Sequence, residues 1–263
     1  MSQSHSLKLS IVLSAGVYFL IQCLVWVFSV SPSAAMNRPY VWYFPISALL
    51  HIGMAGFLWW RSVDFRHTTT RESLPAVNAA CHLTLLRLSC VPTILFLAIA
   101  LARTDVSGIV LIAVVAVAFL SDFFDGQVAR RLNQTTDIGA YLDSSTDYAV
   151  LIVLSIAFVI MKVTPVWYFG ILMGRFVGFA IAMAILTKVQ GKVDAETTFL
   201  GKAAVFAAMT AYAFELARYV NLAVLGGATL VLVIEIASAT ILGVSAIDKS
   251  IYLVRKFRAA SSE

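Results

Sequence analysis

Four aspartates, two glycines and an alanine lie at helical spacings within one short stretch of the chain. In chain order these residues are Asp122, Asp125, Gly126, Ala129, Gly139, Asp143 and Asp147. The first four occupy positions i, i+3, i+4 and i+7, and the last three occupy positions i, i+4 and i+8, so each set forms one face of a helix. Carboxylates gathered on two facing helices predict a site for divalent metal, because hard cations prefer oxygen ligands.

The first two aspartates are predicted to lie inside a membrane-spanning helix. The apolar run from Ser107 to Leu120 is 14 residues long, which gives roughly 21 Å of helix against a hydrocarbon core of about 30 Å. The span must therefore be completed by residues 121–128, which carry Asp122 and Asp125. Negative charge at that depth is costly unless a cation offsets it, so we expect these carboxylates to line a wet cavity.

The composition predicts an all-α integral membrane protein. Apolar residues make up 60% of the chain, charged residues make up 13%, and the mean hydropathy is +0.90, which excludes an ordinary soluble domain. Eight apolar runs have about the 20 residues needed to cross a bilayer. They are Leu7–Val30, Val41–Trp60, Leu83–Ala102, Ser107–Val128, Ala140–Met161, Val166–Thr187, Ala203–Val220 and Leu225–Ala246.

One long polar loop, from Arg61 to Ala80, divides these spans into two groups. We predict a two-helix transmembrane hairpin with a cytoplasmic linker over residues 1–70 and a six-helix domain over residues 71–263.

Basic residues indicate how the spans are oriented, because cytoplasmic loops are enriched in lysine and arginine. Thirteen fall on the side that carries the aspartates: Lys8, Arg61, Arg66, Arg71, Arg130, Arg131, Lys188, Lys192, Lys202, Lys249, Arg255, Lys256 and Arg258. Four fall on the other side: Arg38, Arg103, Lys162 and Arg218. This asymmetry predicts a cytoplasmic site, with the bacterial inner membrane as the expected location. The net charge of +5 then needs no nucleic-acid partner, because the basic face meets anionic lipid.

The spacing D-x2-D-G-x2-A-R-x8-G-x3-D-x3-D, from Asp122 to Asp147, resembles the signature of the CDP-alcohol phosphotransferases, also called CDP-alcohol phosphatidyltransferases. A chance match to its eight fixed positions is on the order of one in ten billion. The resemblance implies a six-helix membrane bundle, here preceded by the hairpin. It also implies an enzyme that moves a phosphatidyl or phospho-alcohol group from a CDP-linked donor to an acceptor hydroxyl.

A second part of the family pattern, N-x-L-T-x-x-R-x4-P, is matched at Leu83, Thr84, Arg87 and Pro92, with Cys81 in place of the asparagine. Thr84 is predicted to cap a helix and Pro92 to kink it. Arg87 either snorkels to the membrane surface or offsets the aspartates.

The resemblance assigns a role to each residue of the signature. Asp122, Asp125, Asp143 and Asp147 would hold two ions of Mg²⁺ or Mn²⁺, and Asp147 would also act as the general base. The cytidine would lie against Gly126, Ala129 and Gly139. Arg130, at the end of the helix, could reach a diphosphate or lipid phosphates. Glycine within a helix costs about 1 kcal/mol relative to alanine, so these glycines suggest that space is kept for a ligand.

Two basic residues outside the signature are candidate contacts of an anionic acceptor. Arg175 is the only charge in the middle of the sixth span, and an intramembrane arginine is a functional candidate. Arg175 could instead pair with a carboxylate of the site or with backbone carbonyls. Lys202 follows Gly201 near the start of the seventh span and is either a second acceptor contact or an interfacial lysine.

The expected function is transfer of a phosphatidyl group from CDP-diacylglycerol to a small polar alcohol, such as glycerol 3-phosphate, with release of CMP. Transfer from a CDP-amino-alcohol to diacylglycerol is the alternative within the same family. A cation transporter that uses intramembrane aspartates is the alternative of another class. Membrane lipids are expected partners, and we expect a homodimer.

Overall fold

Helices make up nearly all of the regular structure. The computed structural model describes residues 3–30, 40–103, 106–132, 134–190, 198–221 and 227–260, and these contain no strand, only two isolated bridges. Arg38 and Lys192, which were counted for the orientation, lie outside the described residues.

The described residues contain eight α-helices that are long and apolar enough to cross a membrane, which confirms the predicted all-α multi-pass architecture. They are α1 (Gln3–Ser29), α2 (Tyr43–Trp60), α3 (Ala79–Ala102), α4 (Gly108–Arg131), α5 (Asp137–Ile160), α6 (Val166–Gln190), α7 (Phe199–Tyr219) and α8 (Ala228–Ala260). Short 3₁₀ turns precede and follow α2, at Tyr40–Trp42 and Ser62–Asp64.

Helix α4 carries the first half of the signature within its last turns. Ser107 caps its N-terminus by accepting from the Ile109 backbone N–H across 3.4 Å. The helix then continues through Asp122 and Asp125 to Arg131, as the shortness of its apolar run predicted. Arg130 and Arg131 lie in the last turn, where positive charge is favourable beside the unpaired carbonyls.

Helix α3 begins at Ala79, four residues before the predicted start of its span at Leu83. Asn78 caps it, because the Asn78 side-chain oxygen accepts from the Cys81 backbone N–H across 3.0 Å. The prediction of Thr84 as the cap is therefore wrong. Thr84 lies within the helix, where its hydroxyl donates to the Ala80 carbonyl across 3.2 Å.

The chain divides into two compact units, Met1–Met161 and Lys162–Glu263. In the first unit, α3 packs against α1, α2, α4 and α5. In the second unit, α8 packs against α6 and α7. The predicted domain boundary near residue 70, between the hairpin and the six-helix domain, stays a prediction.

The N-terminal hairpin is joined to α3 by a buried polar network. The Gln22 side chain donates to Ser89 Oγ across 3.2 Å and accepts from Thr93 Oγ1 across 2.6 Å. Tyr43 on α2 donates its hydroxyl to the Gln22 carbonyl across 2.7 Å, and its ring stacks on Trp26 with centroids 4.6 Å apart. These contacts fix α3, the central helix of the first unit, against both helices of the hairpin.

Candidate active site

The four aspartates of the signature converge on one arginine of α3. The Arg87 guanidinium donates to Asp122 Oδ1 across 2.6 Å and lies 3.5 Å from Asp143 Oδ1. The same guanidinium pairs with Asp125 and with Asp147. The two helical faces that the spacing indicated therefore meet around a single cation.

Arg87 does not snorkel to the surface, since its side chain is fully buried (0% exposed). A buried guanidinium is stabilised only when carboxylates and hydrogen bonds replace the water it loses. One arginine offsets one of the four negative charges that these side chains carry when ionised. The cluster is thus suited to hold further positive charge.

Three of the carboxylates fit a divalent metal ion. Asp122, Asp143 and Asp147 each offer one oxygen, and these oxygens lie within 4.8 Å of one another. An all-oxygen donor set at this spacing suits Mg²⁺ or Mn²⁺. Asp125 lies outside this group of three, and its carboxylate accepts from the Thr84 hydroxyl across 3.3 Å.

A cavity of about 180 Å³ opens beside the carboxylates. Asp125 and Asp143 contribute to its lining, together with the four residues predicted to contact the nucleotide, Gly126, Ala129, Arg130 and Gly139. Six further residues of the lining had no predicted role in the nucleotide site: Thr68, Ala80, Thr84, Gln134, Thr135 and Thr136. Thr68 belongs to the loop that follows the hairpin, so no helical periodicity linked it to the signature.

The two glycines of the signature have different surroundings. A Cβ at Gly139 would lie 2.8 Å from Thr136 Oγ1, the oxygen that caps α5 by accepting from the Gly139 backbone N–H across 3.1 Å. The missing side chain at Gly139 therefore makes room for the cap. A Cβ at Gly126 would meet only the flexible end of Arg130, at 3.5 Å, so space beside Gly126 can be made available to a ligand.

In the second unit, Arg175 lies beside a buried lysine. Its Nε and Nη2 atoms donate to Ser245 Oγ across 3.1 and 2.9 Å, and its guanidinium lies 5.5 Å from the centre of the Phe179 ring. The Lys249 ammonium lies 5.3 Å from the centre of the same ring. Both side chains are buried, which concentrates positive charge around Phe179.

Lys202, predicted as the companion of Arg175, is exposed at the start of α7. Its neighbour Gly201 faces the cations instead, because a Cβ there would lie 3.7 Å from Lys249 Cε and 3.9 Å from Arg175 Nη2. Lys249 was not predicted as a site residue, because the last apolar run ends at Ala246, whereas α8 continues to Ala260.

Comparison with known proteins supports the resemblance. A family model described as CDP-alcohol phosphatidyltransferase matches residues 77–241. A cardiolipin synthase (CMP-forming) from Streptomyces coelicolor is 33% identical over 103 residues, which cover 39% of this chain and 46% of the relative. A putative cardiolipin synthase from Mycobacterium tuberculosis is 28% identical over 130 residues, which cover 49% of this chain and 60% of the relative. The chain spans about half the length of the curated relatives it matches.

The matched region covers well over half of the chain. It includes the whole signature from Asp122 to Asp147, and it includes Arg87 on α3. The chain belongs to the CDP-alcohol phosphatidyltransferase family.

Proposed function

We propose that this protein is a metal-dependent phosphatidyltransferase that uses CDP-diacylglycerol as donor and releases CMP. The observation that carries the proposal is the convergence of the four signature carboxylates around Arg87, beside a cavity that two of them line. A diphosphate donor brings concentrated negative charge into a site that is already acidic, so catalysis by such a site requires additional cations.

Asp122, Asp143 and Asp147, together with Asp125, are the proposed ligands of one or two ions of Mg²⁺ or Mn²⁺. A bound divalent ion would neutralise phosphate oxygens of the donor and stabilise the charge that develops on the departing CMP. The close approach of three carboxylate oxygens supports this ligand set.

The cavity beside the carboxylates is the proposed nucleotide site. Gly126, Ala129 and Gly139 lie in its lining, and Arg130 contributes a cation to the same lining. In this proposal the diphosphate is oriented towards the aspartates and Arg130, while the cytidine lies against the two glycines and the alanine.

Asp147 is the proposed general base. Its side chain lies one turn beyond Asp143 on α5 and is 17% exposed, compared with 47% for Asp143. In the proposed step, Asp147 takes the proton of the acceptor hydroxyl while that oxygen forms a bond to the phosphorus of the phosphatidyl group. The bond between this phosphorus and the bridging oxygen breaks, and CMP leaves with its electron pair.

Arg175 and Lys249 are the proposed contacts of an acceptor that carries a phosphate ester. Two buried cations around one aromatic ring favour an anion as their ligand. Glycerol 3-phosphate and phosphatidylglycerol both combine such a phosphate with a glycerol hydroxyl. The relatives' names favour the lipid, because adding a phosphatidyl group to phosphatidylglycerol gives cardiolipin. Lys202 stays a predicted acceptor contact at the exposed start of α7.

The cellular arrangement is also a proposal. The excess of basic residues on the side of the aspartates supports a cytoplasmic active site in a bacterial inner membrane. A homodimer remains our expectation.

The experiment that tests this function is an assay of CMP release by the purified protein in detergent with Mg²⁺ or Mn²⁺ and CDP-diacylglycerol. Phosphatidylglycerol, glycerol 3-phosphate, inositol phosphate, inositol, serine and choline would be compared as acceptors, with Asp143→Asn as the blank. We expect CMP release that depends on one acceptor carrying a phosphate. Release from CDP-choline with diacylglycerol instead would favour the alternative donor, and no release with any pair would overturn the proposal.

A further inference from the structure

The polar loop that joins α2 to α3 turns back on itself over residues 65–74, which we call the linker turn. At its base the Leu74 backbone N–H donates to the Phe65 carbonyl across 2.9 Å. At its tip the Arg71 backbone N–H donates to the His67 carbonyl across 3.0 Å, with Arg71 in the left-handed region (φ 60°). The linker turn therefore has a defined backbone conformation.

The tip of the linker turn contacts the start of α5. The Thr68 backbone N–H and hydroxyl both donate to the Thr135 carbonyl, across 3.0 and 3.1 Å. The Arg71 guanidinium donates to Asp137 Oδ2 across 2.7 Å, and Asp137 is the first residue of α5. Both tip residues lie outside the matched residues 77–241. A segment that the family match does not include thus holds the start of a signature helix.

The transmembrane hairpin supports the same helix just beyond its start. Ile138 and Leu142 are buried in a cluster with side chains of α1, α2, α3 and the linker turn. The Tyr141 ring stacks on the Phe57 ring of α2, with centroids 5.8 Å apart. These three side chains of α5 leave the helix about 100° to 160° around its axis from Asp143. The hairpin and the linker turn therefore support α5 away from the face that carries the carboxylates.

Helix α5 depends on this support because its contact with the other signature helix is slight. It packs closely against α3 but only slightly against α4. The carboxylates of α4 and α5 repel one another when ionised, and Arg87 offsets only part of that repulsion. Asp143 and Asp147 lie about 9 and 15 Å along the helix axis from Asp137. A shift at the start of α5 would therefore move both carboxylates.

We infer that the linker turn is a positioning element of the active site. Thr68 and Arg71 hold the start of α5 so that Asp143 and Asp147 meet Asp122 at the spacing that a divalent ion requires. This inference rests on the proposed metal site. The two tip residues are positioning residues, because they act through the start of α5 and contact none of the three carboxylates that form the proposed metal site.

The main test shortens the tip in the full chain, purified in detergent. Residues 68–71 are replaced by Asn-Gly, a two-residue turn that keeps the two sides of the linker turn paired. We expect the Mn²⁺ affinity, measured by electron paramagnetic resonance, to fall about tenfold, the equivalent of one or two lost hydrogen bonds. Saturating Mn²⁺ should restore most of the kcat for CMP release. The apparent melting temperature should change little, because the replaced residues are exposed.

Point variants separate the two tip contacts. Thr68→Val keeps the shape of the side chain but loses its hydroxyl, and should lower the Mn²⁺ affinity about threefold. Thr68→Ser keeps the hydroxyl and should retain the wild-type affinity. Arg71→Gly removes the ion pair while glycine accepts the left-handed backbone, and its effect should be smaller because the pair is exposed. Thr69→Val is the matched control, because Thr69 is an exposed neighbour at the same tip.

The outcomes separate this inference from the proposed function. A wild type that does not bind Mn²⁺ contradicts the proposed metal site itself. A wild type that binds Mn²⁺, with equal affinity in the shortened variant, overturns the positioning role and leaves the proposed function standing, whether or not the melting temperature falls. Should the shortened variant fail to fold, the Thr68 pair decides the question, since equal affinities of Thr68→Val and Thr68→Ser also overturn the inference.

Discussion

Arg87 on α3 and Asp122 on α4 are joined by an ion pair of 2.6 Å at the centre of the first unit. The pair joins α3 to both helices of the signature, because the same guanidinium also contacts Asp147 on α5. A residue 35 positions before the signature thus determines how its carboxylates are held together.

Removal of Arg87 should destabilise the protein. Arg87→Met leaves four neighbouring carboxylates without their common cation, and breaking a buried ion pair costs about 3 to 5 kcal/mol. The apparent melting temperature in detergent should fall, and Mn²⁺ should raise it more in the variant than in the wild type, because the ion would replace the lost charge. Arg103→Met, at the C-terminal end of the same helix, is the control. Equal melting temperatures for wild type and Arg87→Met would show that the ion pairs contribute nothing net.

The two signature aspartates of α5 should differ in their effects on catalysis. Asp147→Asn removes the proposed base and one proposed metal ligand, and should lower kcat by about 10²- to 10⁴-fold even at saturating Mn²⁺, while leaving nucleotide binding largely intact. Asp143→Asn should weaken Mn²⁺ binding, and saturating Mn²⁺ should restore part of its kcat, because Asp143 is a proposed ligand without a proton-transfer role. Turnover numbers, together with Mn²⁺ titrations followed by electron paramagnetic resonance, separate the two effects. Full activity in Asp147→Asn would remove Asp147 as the base.

The cations around Phe179 should determine acceptor affinity. Arg175→Ala and Lys249→Ala should each raise the KM for a phosphorylated acceptor about tenfold or more, since charge-assisted hydrogen bonds contribute about 1.5 to 3 kcal/mol. The KM for CDP-diacylglycerol should change little. Lys202→Ala is the matched comparison, and its effect should be smaller because its side chain is exposed. An unchanged acceptor KM in both alanine variants would show that Arg175 and Lys249 do not bind the acceptor.

The hairpin should stabilise the family domain through Gln22. Gln22→Leu leaves the buried hydroxyls of Thr93 and Ser89 without this partner, which should lower the free energy of unfolding by about 1 to 3 kcal/mol. Leu24→Ala is the control on the same helix, because Leu24 is 54% exposed on the outer face. Unfolding followed by tryptophan fluorescence in detergent would measure both variants. Equal free energies of unfolding for Gln22→Leu and wild type would show that the hydrogen bonds of Gln22 do not stabilise the protein.

Local spacing was sufficient to predict much of the site and of the architecture. Hydropathy averaged over about 20 residues identifies a membrane span without any tertiary contact, so all eight helices were expected. Intervals of three and four residues specify a helical face, so Asp122 and Asp125 could be grouped, as could Asp143 and Asp147. The family match then confirmed the resemblance that these intervals supported.

Helix ends were harder to predict, because they depend on caps and not on hydropathy. Asn78 caps α3 before its apolar run begins. Thr84 therefore lies inside the helix and not at the predicted cap, and its hydroxyl donates to Asp125. Helix α8 likewise continues past the apolar run that ends at Ala246, which brings Lys249 onto the helix beside Arg175.

The sequence by itself determined which residues share a helical face, because that depends only on the period of the helix. Only the tertiary structure decided which faces meet, because packing joins residues that are far apart in the chain. The sequence therefore left Arg87 with two alternatives, and the packing of α3 between the hairpin and the signature helices placed it among the aspartates. The same packing brought Thr68 and Gln134 to one cavity, which no periodicity in the chain could indicate.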